Sequence, residues 1–130
     1  MALLEIRDVH AYYGLSHVLH GASLAVDEGK IVALLGRNGM GKTTLLRTIM
    51  GLVPARQGTI TFDGTHIEKR KPYDVYDLRV GYVPQGRQMF PFLTVQENLR
   101  MGLRNKRLKN PPIFEKLFTM FPILRERLKQ

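Results

Sequence analysis

Cysteine is absent from the 130 residues, which rules out a disulfide framework and any thiolate metal site. The four histidines (His10, His17, His20 and His66) show no ligand spacing, so solvated or structural roles are expected of them. No apolar run approaches the roughly 18–20 residues that cross a bilayer. The first positions carry Glu5 and Asp8 rather than a long apolar segment before a cleavage site. Neither a transmembrane segment nor a secretory leader is therefore expected, and the chain is placed in the cytoplasm, at a membrane only where a partner holds it.

Acidic residues are also scarce, 11 against 20 basic ones, for a net charge of +9. Much of the excess lies late, at Arg100, Arg104, Lys106, Arg107 and Lys109, then at Arg125, Arg127 and Lys129. Such a cluster marks nucleic acid, anionic lipid, a solvated helical face or a surface that meets another protein. Aromatic residues do not interleave with the basic ones as a single-strand platform requires. The solvated or protein-contacting reading is preferred, and no nucleic acid is expected. The length fits one domain or part of one, and the hydrophobic fraction of 44% is ordinary for a globular chain.

What is present centres on Gly36-Arg37-Asn38-Gly39-Met40-Gly41-Lys42-Thr43, which fits the phosphate-loop pattern at every fixed position. The apolar run Lys30-Ile31-Val32-Ala33-Leu34-Leu35 leads in and reads as a buried strand. A helix pattern over 42–50 leads out. Gly36, Gly39 and Gly41 permit backbone angles closed to other residues and leave no side chain in the way. Backbone N–H groups then curl around a phosphate, and the helix start adds its free N–H groups and positive dipole end. In this pattern Lys42 reaches the β- and γ-phosphates, the Thr43 hydroxyl ligates Mg²⁺, and Thr44 donates to the α-phosphate.

Strands are expected at Leu3-Leu4-Glu5-Ile6-Arg7, at Val18-Leu19 with Ala22-Ser23-Leu24-Ala25-Val26, and at Thr59-Ile60-Thr61-Phe62. Ala11-Tyr12-Tyr13-Gly14 reads as a loop, and Ala55-Arg56-Gln57-Gly58 and Asp63-Gly64 as turns. The helix after the phosphate loop is expected to turn Leu45, Leu46, Ile49 and Met50 inward, with Gly51 as its cap. Residues 69–77 are polar and irregular, with room for a short helix. Val80-Gly81-Tyr82-Val83 reads as a further buried strand ended by Pro84-Gln85-Gly86. Thr94 and Glu97 fit a capping box for a helix from Val95 to about Gly102. Pro111-Pro112 opens another helix with Ile113, Leu117 and Phe118 as its apolar stripe; after Pro122 a short one begins at Ile123.

Taken together, the chain resembles the ATP-binding subunit of an ABC transporter, with motifs in that family's order over nearly its whole length. Tyr13 precedes Gly14, the phosphate loop follows, and Gln85 closes Gly81-Tyr82-Val83-Pro84-Gln85. The stretch Gly86-Arg87-Gln88-Met89-Phe90-Pro91-Phe92-Leu93-Thr94-Val95-Gln96-Glu97-Asn98-Leu99 looks like the branched-chain amino acid importer group, and the urea importer subunit is closely similar; Gly51-Leu52-Val53-Pro54-Ala55-Arg56 is compatible with both. The resemblance implies an α/β fold of the P-loop NTPase class, an ABC-type nucleotide-binding domain. Residues 1–30 and 55–64 would form an antiparallel β part. Residues 31–54 and 79–86 would form a nucleotide core with an incomplete parallel sheet. Residues 87–130 would hold a partner-contacting loop and the start of a helical part.

The resemblance also implies ATP and Mg²⁺ as ligands. It places Tyr13 on the adenine, with Tyr12 next door as the competing choice. Gly36, Arg37, Asn38, Gly39, Met40, Gly41, Lys42, Thr43 and Thr44 fall on the phosphates, and Thr43 and Gln85 on the metal, Gln85 near the attacking water. Membrane permease subunits would bind near Arg87 to Leu93, a second ATP-binding subunit would complete a dimer, and the protein would sit peripherally on the cytoplasmic face of the membrane. The sequence departs from the family in lacking the signature stretch Leu-Ser-Gly-Gly-Gln, an apolar strand ending in Asp-Glu and a switch histidine. Nucleotide binding without turnover is therefore expected of these residues. In the family, strands from the missing half separate the phosphate-loop strand from the Gln85 strand, so the two are not expected to pair here. Three other readings stand beside this one. A GTPase would need Asn/Thr-Lys-x-Asp, and Asn105-Lys106-Arg107-Leu108 lacks the Asp. A basic nucleic-acid-binding or regulatory module on the ATP fold would bind with steep salt dependence. The last is a non-functional fragment of the transporter subunit.

Overall fold

Apolar and small residues facing one way along the first 27 positions build a long hairpin. Strand β1 (Ala2–Tyr13) pairs antiparallel with β2 (Ser16–Asp27), and Ile6, Val9, Ala11 and Leu19 point into a core. On its other edge β1 pairs antiparallel with β3 (Ala55–Phe62), which returns through Asp63 and Gly64 into the short β4 (Thr65–His66). The sheet order is β2-β1-β3-β4. The computed structural model describes residues 1–39, 41–86, 88–104 and 107–130. Met40 of the phosphate loop, Arg87 at the head of the expected partner loop, Asn105 of the guanine-site candidate and Lys106 of the basic cluster lie outside the described residues.

The chain divides into two units, Met1–Val83 and Pro84–Gln130. In the first, helix α1 (Lys42–Ile49) lays Leu45 and Ile49, followed by Met50, on the core that Ile6, Val9, Ala11, Leu19 and Ile60 form on the sheet. Val53, Ile67 and Val75 of helix α2 (Pro72–Asp77) complete that core. Leu46, expected inward, is 45% exposed, and Thr44 and Thr48 are buried instead. The buried stripe is 44, 45, 48 and 49, the spacing of one helical face, and Leu46 falls off its edge. Thr48 satisfies its hydroxyl by donating to the Thr44 carbonyl at 2.7 Å.

The antiparallel strands run longer than the sequence suggests. Ala11, Tyr12 and Tyr13, read as loop, are the end of β1, and residues 55–58, read as a turn, open β3. Register shifts, one spanning Asp8 at φ +50°, let β1 bend and keep pairing, and the freed Asp8 N–H donates to Ser23 Oγ at 2.9 Å. Two expected buried strands do not form among the described residues. Neither 30–35 nor 80–83 pairs with another strand, and Ile31 and Val83 are 100% and 90% exposed. A strand takes its ladder hydrogen bonds from neighbours, and no neighbouring strand is offered to either segment. As expected, the two segments do not pair with each other.

In the second unit, α3 (Val95–Met101) begins with both bonds of the capping box: Glu97 N donates to Thr94 Oγ1 at 3.2 Å and Thr94 N to Glu97 Oε2 at 2.7 Å. Two more first-turn donors, the N–H groups of Val95 and Gln96, reach the carbonyls of Gln130 and Leu128 at 2.8 and 3.0 Å. Helices α4 (Pro112–Met120) and α5 (Pro122–Glu126) pack together. On α4 the buried pair is Phe114 and Phe118, one turn apart, with Leu117 half-buried; Ile113 is exposed, against expectation. Part of the late basic charge serves this unit. The Arg100 guanidinium donates to the carbonyls of Leu108 and Lys109, and Arg125 lies over the Phe118 ring and pairs with Glu115 at 2.6 Å. Among the described residues, no helix is long and apolar enough to cross a membrane.

Ile60→Ala, at a fully buried position of β3, is expected to cost about 2–4 kcal/mol in urea denaturation. Thr94→Ala is expected to cost about 1 kcal/mol, read in the same way, through loss of the capping bonds.

Candidate functional site

The first N–H groups of α1 have no partner within the helix, so the loop that precedes it decides what they face. Gly41 is the cap residue, with φ +90° and ψ 5°, a left-handed conformation that side chains resist. It is fixed by packing as well: a Cβ at position 41 would lie 3.0 Å from Leu19 Cδ2 and 3.4 Å from the Val18 carbonyl. The intrahelical ladder opens with Leu45 N donating to the Gly41 carbonyl at 2.8 Å. The N–H groups of Lys42, Thr43 and Thr44 are thereby directed out of the helix start. Gly39 also takes a positive φ, whereas Gly36 does not. Gly36 instead lends its carbonyl to the Lys42 ammonium, which folds the lysine back along the loop. Arg37 and Asn38 are exposed.

Thr43 is exposed and, among the described residues, its hydroxyl makes no side-chain hydrogen bond. Thr44 is buried, and its hydroxyl lies 3.5 Å from the Tyr13 hydroxyl. The structure thus brings the end of β1 to the start of α1, joining two sequence-predicted residues that stand 31 positions apart. The ring of Tyr13 is 46% exposed. That of Tyr12 is engaged: it stacks on His17 at 4.2 Å, and the Arg56 guanidinium lies 4.4 Å from its centroid. Arg56 also donates to the Gly14 carbonyl at 3.2 Å, tying β3 to the hairpin turn. Sequence reasoning assigned no role to Arg56; its only signal was a basic residue inside a segment read as a turn.

Gln85 belongs to the second unit and is exposed. The loop after it is held by Asn98, another residue that sequence reasoning left without a role. Its side chain accepts from Phe90 N at 3.0 Å and donates to the carbonyls of Phe90, Leu93 and Thr94 at 3.1, 3.2 and 3.0 Å. An Asn one turn beyond a helix cap was the available signal. This brace leaves Phe92 outward and Phe90 half-exposed, and shapes an apolar cleft of about 420 Å³ lined by Met89, Phe90, Leu93, Leu99 and Leu124 among others.

The donor set at the start of α1 suits a bound polyphosphate: three outward N–H groups, a glycine cap, one ammonium and an exposed hydroxyl, all within one turn. The same hydroxyl is a hard oxygen donor of the kind Mg²⁺ takes alongside phosphate oxygens and water.

Comparison with known proteins gives the family described as ABC transporter over residues 19–129. The chain is 36% identical over 129 residues to the high-affinity branched-chain amino acid transport ATP-binding protein BraG of Pseudomonas aeruginosa, covering 98% of this chain and 55% of BraG. It is likewise 36% identical to the spermidine/putrescine import ATP-binding protein PotA of Legionella pneumophila, over 97% of this chain and 34% of that protein. A solved ATP-binding subunit of an ABC transporter superposes with a TM-score of 0.80 at 30% identity, covering 98% of this chain and 53% of that one. The chain therefore spans about half the length, or less, of the relatives it matches.

Gly41→Ala is expected to destabilise the first unit by about 1–3 kcal/mol in urea denaturation, the cost of a non-glycine residue held in an unfavourable backbone region. A change below about 0.5 kcal/mol would show that the loop relaxes freely around a Cβ.

Proposed function

The chain belongs to the ABC transporter family, and we propose that it is the MgATP-binding part of an ATP-binding subunit that energises an importer, with branched-chain amino acids as the cargo. The observation that carries this reading is the start of α1, where outward N–H groups, the Gly41 cap and Lys42 converge beside Tyr13 and Thr44. The cargo assignment rests on the match to BraG across 98% of this chain and on the stretch from Gly86 to Leu99. The equal identity to a polyamine protein makes the cargo an experimental question.

Each residue has a physical task in this reading. The N–H groups at positions 42–44 bind phosphate oxygens, with the helix dipole adding its positive end. Lys42 leaves the Gly36 carbonyl for a better acceptor, since both partners are charged in an ammonium–phosphate bond and only the donor is charged in the carbonyl bond. Arg37, Asn38 and Gly39 continue the loop around the phosphates. Tyr13 offers its exposed ring to the base, while Tyr12 stays committed to His17 and Arg56. Thr43 would hold Mg²⁺, which when bound neutralises phosphate charge; Gln85, in the second unit, is a separate metal-ligand candidate. The braced loop carrying Phe90 and Phe92 is an apolar surface for the membrane permease subunit, and a second ATP-binding subunit completes the engine.

Three measurements test this. Calorimetry is expected to show MgATP binding that Lys42→Ala abolishes and that Tyr13→Ala weakens by about 5–150-fold, the range of one base–aromatic stack. Binding that survives Lys42→Ala unchanged would overturn the phosphate assignment. Phe90→Ser with Phe92→Ser is expected to weaken association with the permease subunit and spare ATP binding; lost ATP binding would show that these rings are core. Uptake of labelled leucine, urea and spermidine in cells lacking the gene and restored with it decides the cargo, and restoration of spermidine uptake alone would reject the amino acid reading.

A further inference from the structure

The face of the β1–β2 hairpin opposite the core carries an unusual concentration of imidazole. The register sets His10 against His20 and Tyr12 against His17, while Ala11 and Leu19 between them point into the core. His10 Nδ1 lies 3.0 Å from His17 Nε2, and His10 Nε2 lies 3.2 Å from Asp8 Oδ1. The His17 ring is 3.9 Å from that of His20 and stacks at 8° on Tyr12. Arg56 of β3 lies over Tyr12. Packing is close enough that a Cβ on Gly21 would come within 2.7 Å of Asp8 Oδ1 and 3.4 Å of His10 Nε2.

We propose that Asp8, His10, His17 and His20 form an acid-sensitive latch that holds the end of the β1–β2 hairpin, and with it Tyr13, in place. The argument is a proton count. Ionised Asp8 only accepts, so His10 Nε2 carries a proton toward it. With His10 neutral, its Nδ1 accepts and His17 Nε2–H donates. One further proton on the pair is accommodated, because a single hydrogen still lies between His10 Nδ1 and His17 Nε2 whichever ring carries the charge. A second further proton sets N–H against N–H across 3.0 Å. That breaks the bond and places two cations side by side, with His20 beside them and Arg56 one ring away.

The groups facing His17 are Asp8, His10 and Tyr12 of β1, His20 of its own strand, and Arg56 of β3 across Tyr12. Helix α1 meets β2 on the other side through Gly41 against Val18 and Leu19. Burial, then the neighbouring His20 and His10, push the His17 imidazole below its ordinary value of 6.5, with a backbone hydrogen bond at Leu19 opposing them. The unfolded chain therefore takes up this proton more readily than the folded one. The latch contributes fully above about pH 6.5, and its contribution falls as the pH drops from there through the lower folded value. His17 and His20 flank the two residues that seat Gly41, and the hairpin end carries Tyr13. Opening thus loosens the base contact first, a consequence that rests on the nucleotide reading above.

The test compares the full-length chain with His17→Gln, in which a neutral amide replaces the central ring. Imidazole NMR and amide exchange of residues 12–17 are followed between about pH 8 and pH 5, and MgATP affinity is measured at both ends. In the wild type, His17 is expected to stay neutral below the ordinary imidazole range, amide exchange to rise in acid relative to the variant, and affinity to fall by about fivefold or more, the loss of one hydrogen bond. The variant is expected to hold its affinity within about twofold. Ordinary titration of His17 together with equal amide exchange in both proteins would overturn the latch. If nucleotide binds to neither protein at any pH, the nucleotide reading fails, and the NMR and exchange measurements still decide the latch.

Discussion

At position 41 the chain passes so close to Leu19 and Val18 that a Cβ would crowd them, and it does so with a left-handed backbone. This contact fixes where α1 begins relative to the hairpin. The helix then has one way to lay Leu45 and Ile49 on the sheet, because its two buried columns rotate with its first residue. The orientation of the helix start is settled with them, and the N–H groups of residues 42–44 point away from the core. A packing constraint between two apolar side chains and one glycine thus sets up a site whose chemistry is wholly polar.

The hairpin is the other partner in that contact, and its two faces do different work. Ile6, Val9, Ala11 and Leu19 turn inward and carry α1. The outward face gathers Asp8, His10, Tyr12, His17 and His20, with Arg56 reaching across from β3 to Tyr12 and the Gly14 carbonyl. Tyr13 stands at the junction, its hydroxyl beside Thr44 and its ring open. Tyr13 and the imidazole cluster therefore share one short piece of hairpin, against which the start of α1 packs.

The second unit follows a different logic. Its helices are short, and their ends are closed locally: Thr94 and Glu97 cap α3, the carbonyls of Leu128 and Gln130 take its next donors, and Asn98 bonds the loop before it. With the backbone of that loop satisfied, Phe92 remains outward and Phe90 half-exposed without fraying the structure behind them. Exposed aromatics on a braced loop form a surface that a partner can use at little ordering cost.

What the sequence determined by itself was local. The phosphate-loop spacing, the capping box, the Asp63-Gly64 turn and the prolines opening α4 were legible because each depends on contacts within a few residues. Tertiary structure decided the rest, because burial and pairing depend on what lies across space. Ile31 and Val83 sit in strand-like runs yet are exposed, since among the described residues no neighbour completes their ladders. Tyr13 became the open ring because His17 and Arg56, from two other strands, had already engaged Tyr12. His10, His17 and His20, with no pattern along the chain, became a cluster only when the register of β1 and β2 set His10 against His20 and Tyr12 against His17.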